Sequence, residues 1–126
     1  MKLIYLALFA LAFRAQASDL CDKAVTTPDI NECGKSEHQK ADKKLNAAYK
    51  AALSRIEEID DAQQRKDTKQ GLIEAQRLWV QFRDKDCGSV YDFWRDGTIR
   101  GAMYWGCMLR RTEQRTKDLE LLTAEY

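Results

Sequence analysis

Apolar residues in this chain recur at steps of three and four. Ala41, Leu45, Ala48, Tyr49, Ala52, Leu53, Ile56 and Ile59 follow that spacing, which gathers them on one face of an α-helix but would scatter them over both faces of a strand. Leu72, Ala75, Trp79, Phe82, Cys87, Val90, Tyr91 and Trp94 continue the period, and Met103, Cys107, Met108, Leu109, Leu119 and Leu122 carry it towards the end. No segment alternates with period two over more than a few residues, and Pro28 is the only proline. The pattern predicts an all-α fold, a three-helix antiparallel bundle with long helices over about 28 to 59, 72 to 94 and 99 to 123.

Local signals bound these helices. Thr27-Pro28-Asp29 offers a hydroxyl cap, a proline where its missing N–H costs nothing, and an acid in the positive first turn. Asp60-Asp61 offers a cap for the second helix, although the polar run behind it, DAQQRKDTKQ, has little to bury. Asp96-Gly97 in RDGTIRG is a turn signal, with Thr98 expected to cap the third helix.

The first residues read as an address rather than as part of the fold. Lys2 is followed by the apolar run Leu3 to Phe13 and by Ala15-Gln16-Ala17, the small-x-small pattern of a cleavable leader. The run is too short to span a bilayer, which takes about 20 residues. Cleavage after Ala17 is expected to leave one domain, residues 18–126, periplasmic or secreted. Ser18-Asp19-Leu20 lacks the small residue that lipid attachment at Cys21 would favour, so no stable membrane anchor is expected. Removal of Lys2 and Arg14 turns a formal charge of +1 slightly negative. No basic excess remains to suggest a nucleic-acid partner.

All four cysteines, Cys21, Cys33, Cys87 and Cys107, follow the leader, and an even count in an exported chain implies a disulfide framework. Three connectivities are open. The local pairs, Cys21 with Cys33 and Cys87 with Cys107, are favoured because each closes a segment containing a predicted turn. A mixed pairing such as Cys33 with Cys107 stays geometrically open. No close C-x-x-C pair is present and His38, expected at the surface, is the only imidazole, so neither metal nor other cofactor is expected.

In AQRLWVQFRDKDC, residues 75 to 87, the spacing points Ala75, Trp79, Phe82 and Cys87 inward and sets Gln76, Arg83 and Asp86 at the edge of that stripe. Asp42, Asn46 and Tyr49 on the first helix and Thr112 and Arg115 on the third have matching positions. Polar groups beside apolar stripes on three helices predict a structural network fixing register, since buried polar groups need partners and an arginine fork suits carboxylate or amide acceptors.

ADKKLNAAY (Ala41 to Tyr49), AQRLWVQFRDKDC and CMLRRTEQR (Cys107 to Arg115) resemble, in order, the motifs A-D-x-x-L-N-x-x-Y, A-Q-x-x-W-x-x-F-R-D-x-x-C and C-x-x-x-x-T-x-x-R of the lysozyme inhibitor LprI-like family of exported bacterial proteins. The likeness runs from about Cys21 to Leu122. It implies a helical, disulfide-bonded protein of the cell envelope whose partner is a protein, in the named case a lysozyme.

For function the residues weigh against an enzyme. No G-x-S-x-G, H-E-x-x-H or phosphate-cradling loop is present, and Glu57, Glu58, Asp60 and Asp61 cluster at a helix end as solvated charges do. An inhibitor of lysozyme needs a rigid protrusion facing a cleft with two carboxyl groups. Val90 to Trp105 is the candidate: Tyr91, Trp94 and Tyr104 are aromatic types enriched at binding hot spots, and Arg95 and Arg100 suit carboxylates. The alternative is a non-enzymatic envelope adaptor or immunity-type protein binding another protein. Oligomeric state is left open.

Overall fold

The structure, a computed structural model, describes residues 19–124; the expected leader lies outside the described residues. Four helices follow in order: α1 (Asp19–Asp22), α2 (Thr27–Ile56), α3 (Ala62–Phe93) and α4 (Arg100–Thr123). The last three are the expected long helices, and no strand occurs among the described residues. The short α1 was not foreseen. The favoured disulfides are both present, Cys21–Cys33 tying α1 to α2 and Cys87–Cys107 tying α3 to α4. In the chain-entropy model each is worth about 3 kcal/mol.

Helix ends follow local chemistry. The cap of α2 is Thr26, one residue before the expected Thr27: its hydroxyl accepts from the Asp29 N–H at 3.3 Å while the Asp29 carboxylate accepts from the Thr26 N–H at 3.0 Å, a reciprocal capping box. The nearby Thr26 hydroxyl first, and then the Thr26 N–H, hold the Asp29 carboxyl below its ordinary pKa. Asp61 caps α3 by accepting from the Gln64 N–H at 2.7 Å. The polar run behind it is helical after all, so α3 begins ten residues before Leu72. Its side chains pair along the helix, Gln63 with Asp67 and Gln70 with Glu74, while Lys69 pairs back to Glu57 and Arg65 donates to the Ile59 carbonyl across the turn. Thr98 does not cap α4. The cap position falls to Ile99, with no side-chain bond, because the turn closed by Gly97 N–H on the Trp94 carbonyl sets the helix one residue later.

Consecutive long helices run antiparallel, so α2 and α4 are parallel, and that pair makes the closest seam. Small residues allow it. Ala41, Ala48 and Ala52 of α2 are buried, and Gly34 lies so near Trp105 that an added Cβ would stand 2.8 Å from the tryptophan Cβ. Gly101 sits against the Asn31 side chain in the same way. Towards α3 the space is filled by Tyr49, Leu72 and Trp79, which pack on a core of Leu45, Ala48, Ala52 and Leu119. A second apolar cluster, Cys87, Cys107 and Met108 with Val90, Tyr104 and Trp105, fills the end where α3 stops and α4 starts.

Candidate functional site

Between the two apolar clusters lies a polar layer. Arg83, 8 % exposed, donates from one guanidinium nitrogen to Asp42 of α2 and Thr112 of α4, both at 3.2 Å, and from Nε to Asp84 at 3.1 Å. Its guanidinium carbon stands 5.1 Å from the Trp79 ring centroid. On one side of Arg83, Arg115 Nε donates to Gln76 Oε1 at 2.9 Å, and on the other Arg111 Nε donates to Asp86 at 2.8 Å. The layer therefore links three helices through groups that have partners, as burial requires. Asn46 is exposed and Tyr49 packs in the apolar cluster, so two residues expected in the network stand elsewhere.

The geometry corrects the phase read for α3. Gln76 and Arg83 are buried, while Ala75 is exposed and Phe82 is 52 % exposed. Asp42, Thr112 and Arg115 face α3 across the bundle, and satisfying them turns the polar pair inward at the expense of two apolar side chains. His38 is likewise buried rather than at the surface, its ring 5.7 Å from that of Trp105. Burial first, and then the nearby Arg83 charge, push its pKa below the ordinary value. Asp86 lies close to Cys87 and Cys107, but those sulfurs are bonded to each other and offer no thiolate to a metal.

The five residues expected to bind sit at the disulfide-bonded end of the bundle. Tyr91 stacks under the Arg100 guanidinium at 3.6 Å and meets Tyr104 edge-on at 5.9 Å; Tyr104 meets Trp105 at 4.9 Å. These contacts run from the surface inward to His38. Tyr91 and Arg95 are exposed, whereas Trp94, Arg100 and Tyr104 are partly buried. The most exposed aromatic of the segment is Phe93, 80 % open and edge-on to Trp94 at 5.6 Å. Sequence reading passed over it, although it falls out of phase with the stripe ending Val90 and Trp94, and that was the available signal. Ile99 and Met103 extend the exposed apolar surface. Asp92 and Asp96 balance Arg95 and Arg100 in charge.

Fold and surface together define a disulfide-stapled helical bundle with a rigid aromatic end. The chain belongs to the lysozyme inhibitor LprI family, whose model matches residues 21–119. It is 29 % identical over 107 residues to an uncharacterised protein of Rhizobium meliloti, covering 81 % of this chain and 77 % of that one. It is 33 % identical over 101 residues to the uncharacterised protein YecT of Escherichia coli, covering 73 % of this chain and 61 % of YecT, so the match spans about three fifths of that relative. No solved structure matches. The family match points to lysozyme-inhibitor-like function, and no helix among the described residues is long and apolar enough to cross a membrane.

Proposed function

We propose that the protein is exported through a cleaved leader at residues 1–17 and acts in the cell envelope as a non-enzymatic inhibitor of a lysozyme. The contact surface in this reading is the end of α3, the turn at 94–99 and the start of α4, with Tyr91, Phe93, Trp94, Arg95, Arg100 and Tyr104. The observation that carries it is the exposure of Phe93 on a segment closed at both ends by Cys87–Cys107. An apolar ring left in water on a rigid frame is expensive for the free protein and favourable in a complex, since ordering costs little on binding. Arg95 is exposed, bonded through Nε to the Asp92 carbonyl at 3.4 Å and with its charge 3.9 Å from the Asp92 carboxylate; in this reading it is the cation for a cleft carboxylate.

The test is lysis of peptidoglycan by chicken-type, goose-type and invertebrate-type lysozymes with and without the oxidised mature protein. Dose-dependent protection against at least one class is expected. It should weaken about 30-fold or more in a Phe93→Ser, Arg95→Ala variant, as loss of a hot spot does. No protection by a protein shown to be folded would refute the inhibitor reading.

A further inference from the structure

Helix α3 carries a second, largely exposed stripe, which the bundle touches at Phe82, where the Arg111 guanidinium carbon stands 5.5 Å from the ring centroid. Its inward residues include Leu72, Gln76, Trp79 and Arg83; one position ahead of each stand Gly71, Ala75, Leu78 and Phe82, at steps of four, three and four. That is the spacing of a helix-pairing seam. All four are exposed, Leu78 at 64 % and Phe82 at 52 %. The stripe is also graded: its first two residues are small and its last two are large. Gly71 has open space where a Cβ would stand, and Leu78, Phe82 and Lys85 border a shallow hollow of about 490 Å³.

We infer that this stripe is the contact between two copies of the chain, their α3 helices packed antiparallel. A two-fold axis crossing α3 between Gln76 and Arg77 sets Phe82 over Gly71 of the partner subunit and Leu78 over Ala75 of the partner subunit, and the symmetry repeats both contacts. Every layer then pairs a large side chain with a small one, the self-complementarity that an isologous interface needs. The same register brings Lys85 beside Asp67 of the partner subunit, two exposed and opposite charges.

A lipid surface would make no use of a glycine opposite a phenylalanine. The charges flanking the stripe, Glu74, Arg77, Asp84 and Lys85, are also of both signs rather than the basic excess that anionic lipid selects. From Asp67 to Lys85 the seam is about 27 Å long. An interface of one helix per copy falls at the small end of stable contacts, so association is concentration-dependent.

Sedimentation equilibrium of the oxidised mature protein, from low to high micromolar, tests this. The mass should rise towards twice that of the chain, and Leu78→Glu and Gly71→Gln should each raise the dissociation constant about tenfold or more, the effect of 1.4 kcal/mol. The Cβ that Gly71→Gln adds has nothing within 4 Å, and the exchange improves helix propensity. Its melting temperature, taken where the wild type is monomeric, should therefore be equal or higher, which separates loss of pairing from loss of fold. Lys85→Asp should weaken the dimer and adding Asp67→Lys should restore it. A wild type that stays monomeric, a dimer indifferent to both stripe substitutions, or failure of the charge reversal to restore pairing would each overturn the inference. So would a monomer that binds phosphatidylglycerol vesicles through Leu78.

Discussion

Replacing Gly34 by alanine should destabilise the fold, although alanine is the better helix former. A Cβ at this position would lie 2.8 Å from Trp105 Cβ and 3.5 Å from Trp105 Cγ, against an ordinary carbon contact of about 3.5 to 4.0 Å. The nearer atom is fixed to the α4 backbone, so relief requires α2 and α4 to part by about 1 Å at their closest seam, an overpacking cost of about 1 to 3 kcal/mol. Removing a helix-interior glycine returns up to about 1 kcal/mol. Gly106 and Gly88, also helical, have nothing within 4 Å of an added Cβ; alanine there collects the same gain without the cost. The expected gap between Gly34→Ala and Gly106→Ala is about 2 kcal/mol, or roughly 8 °C in melting temperature for a domain of this size. Calorimetry of the three variants under oxidising conditions reads it directly. If Gly34→Ala melts level with or above Gly106→Ala, small residues do not set the approach of α2 and α4.

Three further outcomes are expected. Arg83→Met and Thr112→Val should each destabilise in urea unfolding, and their double-mutant cycle should show coupling of about 1 to 3 kcal/mol, since the pair is one charge-assisted hydrogen bond at a buried site; additive effects would mean the bond contributes nothing. His38 should make the fold acid-sensitive: with the folded pKa below the ordinary 6.5, its contribution is intact above that value and is lost as pH falls from there to the folded pKa, because the unfolded chain binds the proton first. Arg83 opposes that proton while Asp42 and Asp84 favour it, and His38→Gln should flatten the corresponding part of a stability-versus-pH curve measured by urea titration. Cys87→Ser with Cys107→Ser should cost about 3 kcal/mol in the same titration, and a cost near zero would remove the disulfide from the account of stability.

The helices were legible because period and punctuation agree: one proline at the start of α2, Asp61 at the start of α3 and Asp96-Gly97 before α4 all mark real ends. The favoured cysteine pairing followed from the turns that each pair encloses. The rotation of α3 was not legible. Two stripes one residue apart, Ala75-Leu78-Phe82 and Gln76-Trp79-Arg83, differ by about 100° around the helix axis, and apolar content alone mixes them: Leu72, Trp79 and Cys87 do face inward, Ala75 and Phe82 do not. Only the partners across the bundle, Asp42, Thr112 and Arg115, decide which turns inward, and they are far away in sequence. His38 misled for the same reason. A lone histidine in a charged segment reads as surface until Trp105 is known to lie beside it. The aromatic end was found as a segment, but its residues sorted themselves by tertiary contact, with Trp94, Arg100 and Tyr104 drawn partly inside and Phe93 left in solvent.

Both disulfides lie at the end where α2 begins, and α1 is fastened there by Cys21–Cys33. Anything attached ahead of Asp19 consequently departs from the same end as Phe93 and Arg95, whereas the C-terminal end of α4 lies at the far end of the bundle. A fusion partner placed after Thr123 would leave the aromatic end open, where one placed before Asp19 would crowd it.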